Sequence, residues 1–347
     1  MSEHALHPDR GIGQHIKSRF ASCSYLDFDH KSFDTMLSDP DPIDVPKSYE
    51  TLSLTDVTVS HHPVGAPEAT SVVVVTLNRP SKHNAFTLEM MHAFEKIYAM
   101  FDVDERVRVI VLTGAGKMFC AGADLERGFS GLEKERNKDH RDSGGRLTLA
   151  IHRCRKPTIA ALQGSAVGLG MTMTLPAAIR IGCQKSKYGF VFPRRGLTME
   201  SSSSFFLPRL IGFSNALYLL TTGGTFAPNS PHFGTLFQET YPDADQVVSR
   251  ALELAKEIAE NVSPMASYLS RELMWRNPGT AEETHLVDSA VLYHMFSGKD
   301  SMEGVKAFFE KRQPNFKATL ENDAPPSFPW WTDIDFGRKP KASKPKL

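Results

Sequence analysis

The sequence has few cysteines, no net charge and no long hydrophobic run. Its 347 residues contain four scattered cysteines, and 40 Lys and Arg balance 40 Asp and Glu. Scattered cysteines exclude a disulfide scaffold or a zinc knuckle and are typical of reduced intracellular thiols. A neutral chain is weakly attracted to nucleic acid or anionic membranes, and no apolar run approaches the ~18 residues of a membrane span. The start also lacks the pattern of a secretory signal. We therefore expect an ordinary globular protein that binds neither nucleic acid nor membrane.

Short apolar segments alternate with helical patterns along the middle of the chain. Segments 72–77, 107–112 and 158–162 predict buried strands, each followed by glycine or a turn. Apolar residues from Phe94 to Phe101 recur at helical spacing between the first two strands. This order is typical of a mostly parallel α/β sheet, and helical patterns take over after about residue 200.

Changes in composition suggest four regions. Residues 1–50 are rich in proline and polar residues and predict an N-terminal extension. Residues 51–245 would form the α/β core, and residues 246–312 a C-terminal helical region. Residues 313–347 are rich in proline and end in lysines, as in a tail that packs on the body without being a domain.

Several short segments resemble functional motifs but lack residues that those motifs require. The segment Gly114-Ala115-Gly116-Lys117 lacks the first glycine and the Ser or Thr of a phosphate-binding loop. The histidines do not have the spacing or the carboxylate company of a metal site, so we expect no metal. The serines at 201–204 are not set in a nucleophile elbow.

Two glycine-rich segments at strand exits, 119–125 and 163–170, carry a resemblance to a known family. With Asn78-Arg79-Pro80, the segment 156–161 and the closing 308–312, they resemble the crotonase family, the enoyl-CoA hydratase/isomerase superfamily, over roughly residues 70–312. The resemblance implies an α/β spiral of stacked β-turn-β-α units, with C-terminal helices that mediate trimers, often paired into hexamers. It also implies an acyl-CoA thioester as substrate and no further cofactor.

The glycine-rich segments suit the stabilisation of a thioester enolate. Backbone N–H donors aimed at the thioester oxygen lower the barrier to forming its negative charge, and adjacent glycine lets the substrate approach the main chain. By resemblance, the donors are the amides of Ala123 and Leu169, where Leu169 replaces the middle glycine of the family's usual triple and opens a helix around 171–175. The neighbouring substrate-binding positions are Ala121, Gly122, Asp124, Leu125, Gly168 and Phe192.

The acidic residues decide which reaction is expected. The two glutamates of the family's hydratases match Thr172 and Phe192 here, so both are missing. Glu200 instead lies in a segment that is similar to the one carrying the catalytic glutamate of peroxisomal 3,2-enoyl-CoA isomerases. Four phenylalanines would surround its carboxyl group and raise its pKa: Phe190, Phe192, Phe205 and Phe206. Helix capping is the alternative role for Glu200.

Basic residues near these segments are candidates for the coenzyme A end of the substrate. Arg79 and Lys82 follow the first strand, and Lys311 lies on the closing helix, where each could bind phosphate or adenine. Each could equally be a solvated surface charge. We expect Asp124 to order its own loop through backbone hydrogen bonds as well as to lie near the substrate.

The C-terminus suggests a location. Pro345-Lys346-Leu347 resembles the Ser-Lys-Leu address read by the peroxisomal import receptor, although proline replaces serine. We expect a peroxisomal protein, or a cytoplasmic one if this end is only a basic tail. The tail Pro325–Trp331 also resembles that of fungal enoyl-CoA isomerase/hydratases.

The main hypothesis is an enoyl-CoA isomerase that moves a double bond from C3 to C2, with Glu200 as the single proton shuttle. An enoyl-CoA hydratase that uses Glu200 with a second group is the alternative. A catalytically inactive CoA-binding scaffold and a thioester hydrolase are further alternatives. Acyl chain length and pathway stay open at the level of sequence.

Overall fold

The computed structural model describes residues 42–126 and 137–336. Its strands are β1 (Val57–His62), β2 (Val72–Leu77), β3 (Val109–Gly114), β4 (Met118–Cys120), β5 (Thr158–Leu162), β6 (Ser165–Val167), β7 (Ile179–Cys183), β8 (Tyr188–Gly189) and β9 (Glu239–Tyr241). Its α-helices are α1 (Leu88–Val103), α2 (Ser143–Arg153), α3 (Leu169–Thr172), α4 (Ser203–Thr222), α5 (Ala244–Asn261), α6 (Pro264–Trp275), α7 (Ala281–Phe296), α8 (Lys299–Glu310) and α9 (Leu320–Asp323).

Two sheets organise the strands. The larger has the order β1-β2-β3-β5-β7-β9, in which only β1 is antiparallel to its neighbour. The smaller, β4-β6-β8, is parallel throughout. The mostly parallel α/β sheet and two of its strands, 72–77 and 158–162, are therefore confirmed. The strand predicted at 107–112 lies at Val109–Gly114 instead, because Val107 donates its N–H to Asp104 in a turn.

The two faces of the larger sheet pack against different helices. Ile110 and Leu112 face the main core with α1, whereas Val109 and Val111 pack against the buried alanines of α5. Side chains alternate between faces along a strand, so a strand covered on both sides is apolar at every position. The predicted boundary at 245/246 falls two residues inside α5, the helix that covers this face of the sheet.

The ends of the described chain pack on this body. Tyr49, within the predicted extension, is 1% exposed and donates a hydrogen bond to Asp104 at 2.9 Å. In the tail, Ala318, Phe328 and Trp330 pack with residues of α6 and α7. No helix in the described ranges is both long and apolar enough to cross a membrane.

The smaller sheet places the two glycine-rich segments side by side. β4 runs into the first segment and β6 lies within the second, and Met118 pairs with Ser165 while Cys120 pairs with Ala166. Parallel neighbours end at the same edge, so both segments leave the sheet together. This edge carries the candidate site.

Candidate active site

Gly122 and Gly168 bring the two glycine-rich segments into contact. Both have positive φ angles, +88° and +54°. A Cβ atom on Gly122 would lie 3.0 Å from the carbonyl oxygen of Val167 and 3.8 Å from the amide nitrogen of Leu169. Only glycine permits both this backbone conformation and this approach.

The N–H groups of Ala123 and Leu169 are both left without an acceptor in the described part of the chain. Phe86 bridges to Ala123 by donating to the carbonyl of Gly122 at 2.8 Å and accepting from Asp124 at 3.1 Å, which bypasses the Ala123 amide. Leu169 is the first residue of α3, where an amide has no partner within its own helix. Both groups can therefore bind a substrate oxygen, as the sequence predicts.

Helix α3 brings Thr172 against Glu200. The Thr172 hydroxyl donates to Oε1 of Glu200 at 2.5 Å, and the Ser201 hydroxyl donates to Oε2. Thr172 is fully buried, whereas Glu200 is partly exposed. The single acid of the predicted site thus contacts Thr172, which follows Leu169 by three residues in the same helical turn.

The chain around Glu200 holds a particular backbone conformation. Ser201 and Ser202 are both left-handed, with φ of 56° and 53°. The N–H of Ser203 then returns to the carbonyl of Glu200 at 2.9 Å, and α4 begins. The N-cap position of α4 is Ser202, and the Glu200 carboxylate accepts from side-chain hydroxyls, so the alternative capping role does not apply to Glu200.

The electrostatics of Glu200 suit a proton shuttle. Burial raises the pKa of its carboxyl group to about 7, and the negative charge of Asp142 acts in the same direction. Hydrogen bonds from Ser201 and Thr172 oppose the rise. A carboxyl group with a pKa near neutrality can both take and return a proton at physiological pH.

Three of the four phenylalanines expected around Glu200 are buried. Phe190, Phe192 and Phe206 are buried, but Phe205 is 37% exposed. The Phe205 ring packs against Trp275, with centroids 5.7 Å apart, and beneath Arg209. Phe192 lies beside Gly168, where an added Cβ would be 3.8 Å from its ring. That these rings surround the Glu200 carboxyl group stays a prediction.

Sequence reasoning missed the contribution of α2. Asp142 caps this helix by accepting from Gly145 at 2.8 Å, and Gly144 faces Glu200. A Cβ at Gly144 would overlap Oε2 of Glu200 and the Ser201 hydroxyl and would lie 2.9 Å from Cδ1 of Leu169. Two consecutive glycines, Gly144 and Gly145, in the first turn of a helix are unfavourable, and this was the available signal.

The basic residues near the first strand have protein partners. Arg79 binds Asp124 at 2.9 Å and the carbonyl of Ala85 at 2.7 Å. Lys82 pairs with Glu126 at 2.7 Å, and Lys311 is exposed at the end of α8. Asp124 accepts from the backbone of Glu126 at 3.1 Å, in keeping with its expected role in its own loop. The contacts of Arg79, Lys82 and Lys311 with coenzyme A stay predictions.

The remaining predicted substrate-binding positions lie within the first glycine-rich segment, 119–125. Ala121 is partly exposed, Gly122 is buried, and Leu125 is 56% exposed at the rim. Cys120, just before them, is a buried free thiol whose pKa is raised to about 12 by burial. Cys154 and Cys183 are also free and buried.

Comparison with known proteins identifies the family. The family model described as enoyl-CoA hydratase/isomerase matches residues 68–319. The chain belongs to the enoyl-CoA hydratase/isomerase family. This is the crotonase family of the resemblance, and its fold agrees with the two sheets and the C-terminal helices described above.

Curated relatives and solved structures support the same assignment. The enoyl-CoA hydratase AFT3-1 of Alternaria alternata is 46% identical over 261 residues, covering 75% of this chain and 88% of its own. The enoyl-CoA hydratase AKT3-2 of the same organism is 44% identical over 284 residues, covering 82% and 95%. A probable enoyl-CoA hydratase/isomerase from Mycobacterium abscessus superposes with a TM-score of 0.67 at 34% identity, covering 72% of this chain and 96% of its own.

Proposed function

We propose that this member of the enoyl-CoA hydratase/isomerase family is an enoyl-CoA isomerase that moves a double bond from C3 to C2 of an unsaturated acyl-CoA. The observation that supports it most directly is the contact of one carboxyl group, Glu200, with Thr172 on the helix that begins at Leu169, whose amide has no acceptor among the described residues. Thr172 and Phe192, which match the hydratase acids by resemblance, bring no second carboxylate. One carboxyl group is sufficient to move a proton from one carbon to another.

The reaction begins with the thioester oxygen between the amides of Ala123 and Leu169. The Glu200 carboxylate removes a proton from C2, and the electron pair of the C–H bond passes to the thioester oxygen as a dienolate. The two N–H groups stabilise this charge, at about 3 to 4 kcal/mol per donor in measured oxyanion holes. The positive end of the α3 turn acts in the same direction.

The second step returns the same proton. Glu200, now a carboxylic acid, protonates C4, and the electrons of the dienolate form the double bond between C2 and C3. The product is the conjugated thioester. The reaction as written consumes no water and needs no metal or redox cofactor. Its pKa of about 7 lets Glu200 act in both directions.

Hydration is the second candidate, and the names of the relatives favour it. Two Alternaria alternata proteins at 44% and 46% identity are named enoyl-CoA hydratases. Addition of water to a 2-enoyl-CoA would use the same two amides for the enolate, with Glu200 delivering or removing one proton. It would also need a second group to orient the water.

Product analysis separates the two reactions. Purified protein is given 3-enoyl-CoA and 2-enoyl-CoA esters of several chain lengths. An isomerase produces the absorbance of the conjugated thioester from the first substrate, whereas a hydratase removes it from the second. Loss of absorbance from 2-enoyl-CoA with no conversion of 3-enoyl-CoA would overturn the isomerase proposal.

The Glu200→Gln variant tests the assigned base. We expect a loss of about 10³-fold in turnover, within the range of general acid–base contributions, with CoA-ester binding nearly unchanged in calorimetry. Glu257→Gln, at an exposed position of α5, is the matched control and should keep full activity. An inactive wild-type protein that still binds CoA esters would favour the scaffold alternative, and release of free CoA would indicate a thioester hydrolase.

We further propose that α7 and α8 form the interface of a homotrimer. Tyr293, Phe296, Phe308 and Phe309 on these helices are 67% to 80% exposed, and burial of such rings against a second copy would remove apolar surface from water. Light scattering should give three times the chain mass, and the double variant Phe308→Ser, Phe309→Ser should have a lower mass.

The peroxisomal location is likewise a proposal, and the residues that suggest it, 345–347, lie outside the described residues.

A further inference from the structure

Thr172 touches both halves of the candidate site. Its hydroxyl lies 2.5 Å from Oε1 of Glu200 and 3.3 Å from the carbonyl oxygen of Leu169. A hydroxyl has one proton to donate, and the shorter contact is to the carboxylate. The side chain therefore spans from the acid to the residue whose amide would bind the thioester oxygen.

The backbone that carries Thr172 is a single helical turn. The Thr172 N–H donates to the carbonyl of Gly168 at 3.0 Å, and the Met173 N–H donates to that of Leu169 at 3.0 Å. These bonds hold the Leu169 amide and the Thr172 hydroxyl in one short unit. Any group bound to that hydroxyl is consequently held at a set distance from the Leu169 amide.

Burial excludes a direct part for Thr172 in the reaction. The residue is 0% exposed, so its hydroxyl has no access to substrate or bulk water. A buried hydroxyl requires a partner inside the protein, and Glu200 supplies it. Threonine is also neutral and does not supply the carboxylate that is absent from this position.

The other oxygen of Glu200 is held from a different direction. The Ser201 hydroxyl donates to Oε2, which also occupies the space left by the missing side chain of Gly144. The carboxyl group therefore has a hydroxyl partner on each oxygen. Hydroxyl groups also accept hydrogen bonds, so the same partners serve the carboxylic acid after it has gained a proton.

We propose that Thr172 is a positioning residue that holds the Glu200 carboxyl group at the distance from the Leu169 amide that removal of a C2 proton requires. The proposal rests on the function proposed above. C2 is bonded to the thioester carbon whose oxygen the amide binds, so the base and the donor must be correctly spaced. Misplacement of a catalytic group by about 1 Å can reduce a rate 10²-fold.

The test compares Thr172→Val, which keeps the shape and removes the hydroxyl, with Thr172→Ser, which keeps the hydroxyl. For Thr172→Val we expect kcat to fall about 10- to 100-fold while KM changes less than about threefold. The midpoint of the pH–rate profile should also move to higher pH, because a hydrogen bond that favours the charged carboxylate is lost. Thr172→Ser should restore both quantities to near the wild-type values.

Two results would overturn the proposal: an unchanged kcat and pH profile in Thr172→Val, or a Thr172→Ser variant as impaired as Thr172→Val. Should Thr172→Val fail to fold, Thr172→Ala replaces it with the same expectations. In a Glu200→Gln background, Thr172→Val should cause no further loss, since it acts through the carboxyl group. A further loss of turnover in the Glu200→Gln background would also count against the positioning role of Thr172.

The two proposals fail separately. If Glu200→Gln keeps full activity, the proposed function is wrong whatever Thr172 does. If Glu200→Gln is inactive and Thr172→Val is not impaired, only the positioning role is wrong. The assay uses whichever of the two enoyl-CoA substrates the wild-type protein converts.

Discussion

The Glu200 carboxylate occupies the space that a side chain at Gly144 would need. A Cβ atom there would overlap Oε2 of Glu200 and the hydroxyl of Ser201. Gly144 lies in the first turn of α2, where glycine is otherwise unfavourable by about 1 kcal/mol relative to alanine. The Glu200 carboxyl group therefore fits in this position because α2 has no side chain at residue 144.

Gly144→Ala should impair catalysis more than folding. The added methyl group displaces the carboxyl group from its position between Thr172 and Ser201, and we expect kcat to fall at least about tenfold. Steady-state kinetics and thermal unfolding measure the two effects. Gly304→Ala on α8, where a Cβ meets only ordinary contacts at 3.4 and 3.7 Å, is the control. Equal kinetics in both variants would contradict the prediction.

The rate should depend on the ionisation of Glu200. Its pKa is raised to about 7 by burial, so the carboxylate that removes the C2 proton is the minor form below that pH. We expect kcat to fall about tenfold per pH unit below pH 6 and to level off above pH 8. A profile that is flat between pH 5 and 9 would exclude Glu200 as the base.

Glu200 should also lower stability at neutral pH. The pKa of Glu200 is about 7 in the folded protein and 4.5 in the unfolded chain, so the folded state holds the proton more tightly. The free energy of unfolding therefore decreases as the pH rises from 4.5 to 7. Glu200→Gln removes this dependence. Its free energy of unfolding relative to wild type should improve by up to about 3 kcal/mol between pH 4.5 and pH 8, measured with denaturant. A difference that does not change with pH would contradict the shifted pKa.

His152 should make the protein sensitive to acid. Its ring is 7% exposed and packs edgewise on Phe206 and Trp275, with centroids 5.2 and 5.9 Å away. Burial, aided by nearby arginines, lowers its pKa from 6.5 to about 3, so the folded protein holds it neutral.

Stability from the neutral His152 is present above pH 6.5 and is lost as pH falls toward 3. Unfolding experiments should show a loss of about 3 kcal/mol from this residue between pH 6.5 and 4. In the His152→Gln variant the introduced side chain does not titrate, so the free energy of unfolding should depend less steeply on pH than in the wild-type protein. Identical slopes for the two proteins would rule this contribution out.

The short strands were the hardest part of the fold to predict. The segment 72–77 is β-branched at nearly every position because it is covered on both faces, and its strand was predicted residue for residue. The strand β9 has three residues and is partly exposed, so it has little pattern to detect. Its strand geometry comes from pairing with β7, a contact that lies far away in the sequence.

The family followed from the sequence itself, which also supplied the candidate residues of the site. Glycine at 122 and 168 and a single acid at 200 are local features, and their chemistry can be recognised without coordinates. The pairing of Thr172 with Glu200 and the space at Gly144 were decided only by the tertiary structure. They depend on where α2, α3 and the start of α4 meet, and a distance between elements remote in sequence is set by packing rather than by local pattern.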